Sequence, residues 1–164
     1  MSTPFRLAAS KLTTVQELNT VCEEARRARK TIALANGCFD LLHVGHIRYL
    51  QGARAEGDLL IVGINSDASV RTLKGANRPL QSESDRALLV AALHMVDWVV
   101  IFPEDTVSNL LLALKPDVHC KGTDYTEDTV PERSVVRGYG GRVAIVGDPK
   151  EHDTSALLAR LATR

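Results

Sequence analysis

The sequence predicts an α/β fold in a single domain over residues 1–164: a doubly wound parallel five-stranded sheet with helices on both faces. Short apolar segments alternate with helical segments along the whole chain, which is the pattern of consecutive βαβ units. Residues 58–65 are almost continuously apolar, as expected for a strand that is buried on both faces. A length of 164 residues is also sufficient for one substantial core.

The first half of the chain predicts two strands and two helices. Thr13 to Gln16 has the spacing of a capping box, and apolar residues at helical spacing follow, so a helix is predicted over residues 14–29. The apolar segment 31–36 is the next strand. A helix over residues 45–56 ends near Gly57, and the strand 58–65 comes directly after it.

The second half continues the alternation. A polar loop around Lys74 to Pro79 leads to a helix from about Ser84 to His94 and a strand over 98–101. Thr106 is predicted to cap a helix that ends at Leu114, before Pro116. The remaining predicted elements are strands over 117–121 and 142–146 and a helix that begins at Asp153 or Thr154 and ends near residue 161. The polar, glycine-rich segment 122–141 is the softest predicted region, and residues 126–132 are a candidate mobile flap.

Composition restricts the partner and the compartment. Twenty basic and twenty acidic residues balance, so no net field attracts nucleic acid or an anionic membrane, and a small-molecule partner is expected. Three widely spaced cysteines without a Cys-x-x-Cys motif indicate reduced thiols in a cytoplasmic protein. The N-terminus has no secretion signal, and the longest apolar run is interrupted by His94 and Asp97, so no membrane span is expected.

The segment 34–46 carries the strongest chemical signal. It runs from an apolar strand through a turn of small residues to His43-Val44-Gly45-His46 at the start of a helix. The two imidazoles lie on one face of that helix, and its N-terminus attracts anions, so this segment predicts a phosphate site. Two alternatives remain: a tight turn with two surface histidines, or a metal site that adds Cys38 and Asp40 to the histidines.

The predicted fold indicates where a ligand would bind. A doubly wound sheet binds ligands at the carboxyl ends of its strands. The residues at those ends are Asn36, Gly37, Asn65, Ser66, Asp67, Phe102, Lys121, Gly122, Gly147 and Asp148. The Gly-x-Gly-x-x-Gly and P-loop signatures are both missing from the sequence, so the usual markers of dinucleotide or P-loop nucleotide binding do not apply.

Residues 37–46 match Gly-x-Phe-Asp-x-x-His-x-Gly-His, and the chain resembles the cytidylyltransferase-like group of the nucleotidyltransferase superfamily, with its Rossmann-like fold. Further segments resemble, in order, the family of adenylyltransferases that act on D-glycero-β-D-manno-heptose 1-phosphate: residues 63–67, 73–75, 78–79, 86, 96–100 and 116–125. The resemblance spans residues 12–162. Many relatives are fused to a sugar kinase domain. This sequence contains no such domain, so it resembles the stand-alone form, and a separate kinase is expected.

The resemblance implies a reaction in which ATP and heptose 1-phosphate give ADP-heptose, a lipopolysaccharide precursor, and pyrophosphate. Mg²⁺ is expected with the ATP, and relatives suggest a homodimer or a dimer-based oligomer. Two other functions remain open: a cytidylyltransferase that acts on glycerol 3-phosphate or a similar small phosphate, and a nucleotide-binding module without turnover.

The resemblance also assigns residues to roles, with the metal ligands left unknown. The catalytic residues are His43, His46 and Lys74. The nucleotide-binding residues are Gly37, Cys38, Phe39, His43, Gly45, His46, Lys121, Gly122, Thr154 and Ser155. The substrate-binding residues are Asn65, Asp67, Lys74, Arg86, Asp124 and Tyr125. For Arg86, the resemblance implies a position that ties the active-site loops together or contacts phosphate.

Several of these residues also have an ordinary structural interpretation. Lys74 would be a solvated loop lysine, Arg86 a partner in a salt bridge on the helix surface, Asp67 part of an Asx turn, and Tyr125 a core residue. Asp153 stands where relatives often carry Ser or Thr, and it can act with Thr154 as a plain N-cap. His94 and Trp98 are expected in the core or at a subunit interface.

Overall fold

The computed structural model describes residues 6–149 and 154–162 and confirms the predicted α/β fold. Its five strands form one parallel sheet in the order β3-β2-β1-β4-β5. They are β1 (Ile32–Gly37), β2 (Leu59–Asn65), β3 (Trp98–Phe102), β4 (Val118–Lys121) and β5 (Arg142–Ile145). Strands β2 and β3 lie on one side of β1, and β4 and β5 lie on the other. The carboxyl ends of β1 and β4 therefore form the topological switch point.

Every predicted helix is present, with ends that differ by a few residues. The helices are α1 (Val15–Arg27), α2 (Val44–Ala55), α3 (Asp67–Lys74), α4 (Glu83–Ala91), α5 (Ser108–Leu114), α6 (Arg133–Gly138) and α7 (Thr154–Ala162), with a 3₁₀ turn over Ala8–Lys11. Helices α3 and α6 were not predicted. They have eight and six residues, which is too short for a clear helical repeat of apolar residues.

Two predictions of local structure need correction. The capping box is formed by Thr14 and Glu17, one residue later than predicted. Thr106 does not cap α5, because the N-cap position is Val107 and makes no side-chain cap bond. The segment 122–141 contains α6 and places Val130 and Val136 in the core, and the flap over residues 126–132 stays a prediction.

The core has one layer on each face of the sheet. One cluster joins α2 and α4 to the sheet, and the other joins α1, α5 and α6 to its opposite face. In β1 the residues alternate between them: Ala33 and Ala35 face α2, while Ile32 and Leu34 face the other layer. Burying each large aliphatic side chain stabilises the fold by about 1.5–3 kcal/mol.

The N-terminus of α2 lies at the switch point. Tyr49, one turn and a half into this helix, donates a hydrogen bond from its hydroxyl to the Cys120 carbonyl of β4 at 2.8 Å and accepts one from the Asn36 amide of β1 at 3.4 Å. Burial raises the pKa of this hydroxyl, so it remains protonated and able to donate. Within the described ranges, the helices are all too short or too polar to cross a membrane.

Candidate active site

A cleft of about 1000 Å³ opens at the switch point, where the sheet topology places a ligand site. Most of the residues that the sequence analysis assigned to the site line this cleft: Gly37, Cys38, Phe39, His43, Gly45, His46, Asn65, Lys74, Lys121, Gly122, Asp124, Tyr125 and Ser155. Asp67 and Arg86 are not part of its lining. Thr154 begins α7, and Asp153 lies outside the described residues.

The two histidines of the motif lie against each other at the cleft. Their ring centroids are 3.9 Å apart, with an angle of 27° between the planes. His43 is the N-cap of α2, and its Nδ1 accepts a hydrogen bond from the Gly45 amide at 3.1 Å. Because Nδ1 accepts this bond, the proton of a neutral His43 ring is on Nε2. Nε2–H is therefore a donor, and it stands at the positive end of the helix dipole.

Phe39 packs its ring against the ring of His46. Its ring is 97% buried, and its centroid lies 5.1 Å from that of His46 and 6.4 Å from that of Tyr49. The backbone of Phe39 has a φ of 47°, in the left-handed region, which costs a non-glycine residue about 1–2 kcal/mol. A Cβ at Gly37 would lie 3.0 Å from this ring, so a side chain at this position would crowd the ring.

Arg86 is fully buried and holds three loops together, which is one of the two roles that the resemblance implies for it, and it is not a surface residue. It donates hydrogen bonds to the backbone carbonyls of Cys38, Asn65 and Gln81, and to the Asp67 carboxylate at 2.8 Å. Two of these loops contribute residues to the cleft. Arg86 is thus a positioning residue, and its bond to Asp67 explains why Asp67 is also outside the cleft.

Asp40 anchors the segment that follows Lys74, a role that the sequence analysis missed. One carboxylate oxygen accepts hydrogen bonds from the amides of Leu80 and Gln81, and the other lies 2.8 Å from Nε of Arg78. Asp40 is 97% buried. Its place in the Gly-x-Phe-Asp motif was the available signal, but that motif gives no indication of a partner forty residues away.

Lys74 is the last residue of α3, where Gly75 ends the helix with a φ of 100°. Its side chain is exposed and lines the cleft, which brings it to the same cavity as the histidines. Asn65, at the end of β2, is 96% buried, and its amide donates to Ser69 Oγ at 3.0 Å. Its carboxamide oxygen lies 3.9 Å from the Cys38 sulfur.

Lys121 provides a second cation on the β4 side of the cleft. Its ammonium lies 3.7 Å from a carboxylate oxygen of Glu132 and 4.9 Å from the centre of the Tyr125 ring. Burial lowers the pKa of Lys121, and the Glu132 carboxylate partly opposes that shift. Tyr125 lines the cleft and also packs against the core, so its contact with substrate stays a prediction beside its structural role. Glu132 was missed, since no motif marks it.

The metal-site alternative does not fit the geometry. Among residues 6–149 and 154–162, no group of three or more His, Cys, Asp and Glu side chains is arranged to hold a metal ion. Asp40 is committed to Arg78 and to two backbone amides, which leaves it unsuited as a ligand beside the histidines.

The remaining candidates lie away from the cleft lining. His94 is exposed rather than buried, and Trp98 is half-buried with the guanidinium of Arg6 above its ring at 4.3 Å. His119 is fully buried, and its Nε2 lies 3.2 Å from the Asn36 side-chain oxygen. Burial lowers the pKa of His119 to about 3, so this ring is neutral at physiological pH.

Comparison with known proteins identifies the family of the chain. Residues 34–156 match the family model described as cytidylyltransferase-like. The bifunctional protein HldE of Syntrophotalea carbinolica is 49% identical over 155 residues, which are 94% of this chain and 32% of that protein. The HldE of Pelobacter propionicus is 51% identical over 150 residues, 91% of this chain and 31% of that protein. The chain thus spans about a third of the length of these relatives.

A solved structure has the same fold. The lipopolysaccharide core biosynthesis protein of Thermoplasma volcanium aligns with a TM-score of 0.65 and 27% identity, over 74% of this chain and 99% of that one. The matched family model covers the motif, the switch point and the start of α7. On these grounds, the chain belongs to the cytidylyltransferase-like family.

Proposed function

We propose that this protein is a nucleotidyltransferase that transfers AMP from ATP to D-glycero-β-D-manno-heptose 1-phosphate, for lipopolysaccharide core precursors. The observation that carries the proposal is the pair of stacked imidazoles at the N-terminus of α2, inside a cleft that also holds Lys74 and Lys121. The choice of sugar rests on the family resemblance of the motif order. The similarity to HldE and to a lipopolysaccharide core biosynthesis protein supports it.

The reaction requires positioning and charge stabilisation rather than a covalent enzyme intermediate. An oxygen of the sugar phosphate attacks the α-phosphorus of ATP in line, and a new P–O bond forms. The bond from the α-phosphorus to the bridging oxygen breaks, and pyrophosphate leaves with that electron pair. His43 and His46 donate hydrogen bonds to α- and β-phosphate oxygens, where negative charge increases in the transition state.

The two lysines contact the substrates from the β2 side and the β4 side of the cleft. Lys74 follows β2 and binds the sugar phosphate or the α-phosphate, while Lys121 ends β4 and binds the nucleotide. Gly37, Gly45 and Gly122 allow phosphates to approach the backbone. Thr154 and Ser155 begin α7, and Ser155 lines the same cleft. Asn65, Asp124 and Tyr125 are assigned to the hydroxyl-rich sugar.

Mg²⁺ enters with the triphosphate in this proposal. Nucleotide-bound Mg²⁺ keeps several waters and needs few protein ligands, which suits a cleft whose described residues form no carboxylate cage. It would shield the charge of the β- and γ-phosphates. We also propose a homodimer or dimer-based assembly, which the resemblance implies, and a cytoplasmic location, which three cysteines without disulfides favour.

The direct test is to incubate the protein with ATP, Mg²⁺ and heptose 1-phosphate and to measure pyrophosphate release and ADP-heptose. We expect both products to depend on the sugar phosphate. Parallel reactions with CTP and glycerol 3-phosphate test the cytidylyltransferase alternative. No pyrophosphate release with any of these pairs, in a protein that binds ATP, would instead indicate a nucleotide-binding module.

A further inference from the structure

Glu132 is a buried carboxylate for which neither the sequence motifs nor the proposed chemistry has a use. It precedes α6, lines the cleft and is 94% buried. Its Oε2 atom has no hydrogen-bond partner among the described residues. An acceptor in this condition typically costs the fold about 1–3 kcal/mol, so such atoms in a cleft often have a ligand as their partner.

Lys121 compensates the charge of Glu132 but does not complete its hydrogen bonding. The distance of 3.7 Å between Nζ and Oε2 is that of an ion pair and is too long for a hydrogen bond. The Tyr125 ring covers the ammonium from another side at 4.9 Å. The pair therefore leaves one buried carboxylate oxygen of a cleft-lining residue with its charge balanced and its acceptor capacity unused.

The sign of the charge determines what Glu132 can bind. A carboxylate repels phosphate groups, so its partner is a neutral donor on a part of the substrate away from the phosphates. Both substrates of the proposed reaction carry such donors as hydroxyl groups. We propose that Glu132 accepts a hydrogen bond from a substrate hydroxyl and is a specificity-determining residue of this cleft; the inference rests on the proposed function for the identity of the substrates.

The ribose and the heptose are the two sources of that hydroxyl, and binding measurements separate them. Dissociation constants for ATP, 2′-deoxy-ATP and 3′-deoxy-ATP are measured by calorimetry, without sugar phosphate, on the parent and on Glu132→Gln. If the ribose donates, the substitution weakens ATP binding about five- to tenfold, because a charged acceptor becomes neutral, and one deoxy analogue shows almost no such loss. If the heptose donates, ATP binding is unchanged and heptose 1-phosphate binds about five- to tenfold more weakly.

Two further variants make the result specific. Glu127→Gln makes the same charge change at an exposed position of the same segment, outside the cleft lining, and should bind both ligands as the parent does. Glu132→Asp shortens the side chain by one methylene and so moves the carboxylate away from the ligand. The difference in affinity between ATP and the deoxy analogue should then be smaller than in the parent. It also provides a second measurement if the glutamine variant is poorly folded.

The inference is overturned by either of two results. One is unchanged binding of both ATP and heptose 1-phosphate in Glu132→Gln. The other is a loss that is equal for ATP and both deoxy analogues but disappears with inosine triphosphate, which would assign the contact to the base amine. Since the measurements involve no turnover, ATP binding with a Glu132 effect but no pyrophosphate release would contradict the proposed function and leave the Glu132 contact standing.

Discussion

The two sides of the cleft are held in different ways. On the histidine side, formed by residues 37–46, 65–74 and 78–86, Arg86 and Asp40 are buried and have hydrogen bonds to the backbone of neighbouring loops. On the Glu132 side, formed by residues 121–132 and 146–149, the central contact is an ion pair of 3.7 Å with an unfilled acceptor. The histidine side is thus fixed by buried side chains that bind the backbone of neighbouring loops, whereas the centre of the Glu132 side is an ion pair without a hydrogen bond. Rigid placement therefore coincides with the proposed chemistry.

The largest effect on turnover is expected from the histidines. His43→Ala or His46→Ala should lower kcat about 10²–10³-fold with little change in ATP affinity, because a donor aimed at developing charge is lost. Steady-state kinetics and calorimetric ATP binding measure the two quantities. A His46→Ala protein that binds ATP and turns over at the parent rate would contradict the catalytic role of the histidine side.

Loss of Arg86 should be the most destabilising single change on the histidine side. Arg86→Met leaves the Asp67 carboxylate and three loop carbonyls without their buried donor, and removal of one partner of such a pair costs about 3–5 kcal/mol. Urea unfolding measures the loss. Arg71→Met, at an exposed position of α3, is the matched control and should change stability little.

His119 is buried in β4 beside Asn36, and it should make the stability of the fold depend on pH. Its pKa in the folded protein, about 3, is below the ordinary value of 6.5, so the unfolded chain binds the proton first as pH falls. Its contribution is complete above pH 6.5 and decreases between pH 6.5 and 3, by about 2 kcal/mol at pH 5. Urea unfolding at pH 7.5 and 5.0 should show this loss in the parent, and a smaller one in His119→Asn. Equal losses in both proteins would contradict the assignment.

The smallest of these effects is expected at Tyr49. Tyr49→Phe removes the hydroxyl that joins β1 to β4, with a loss of about 1 kcal/mol for the bond to the Cys120 carbonyl. The ring and its contact with Phe39 are retained. Thermal unfolding and kcat together show whether this hydrogen bond stabilises only the fold. A loss of kcat beyond tenfold at unchanged stability would show that it also sets the site geometry.

The sequence could predict what depends on local pattern. The strands, the longer helices and the histidine motif at the start of α2 follow from apolar spacing and from residues close together in the chain. Local pattern did not predict the role of Glu132 or the partners of Arg86, and only the family resemblance implied that Arg86 ties loops together. The burial of Arg86 depends on loops 21 and 48 residues away, and Glu132 gains its meaning only from Lys121 and the cleft. The short helices α3 and α6 were missed because their formation depends on packing rather than on a repeat of their own.

The most direct test of the account is a crystal structure with Mg²⁺ and an ATP analogue that cannot be cleaved between the α- and β-phosphates. We expect Nε2 of His43 and a ring nitrogen of His46 within about 3 Å of oxygens of those two phosphates. A complex in which both rings face solvent, or in which the triphosphate lies away from the N-terminus of α2, would contradict the central claim.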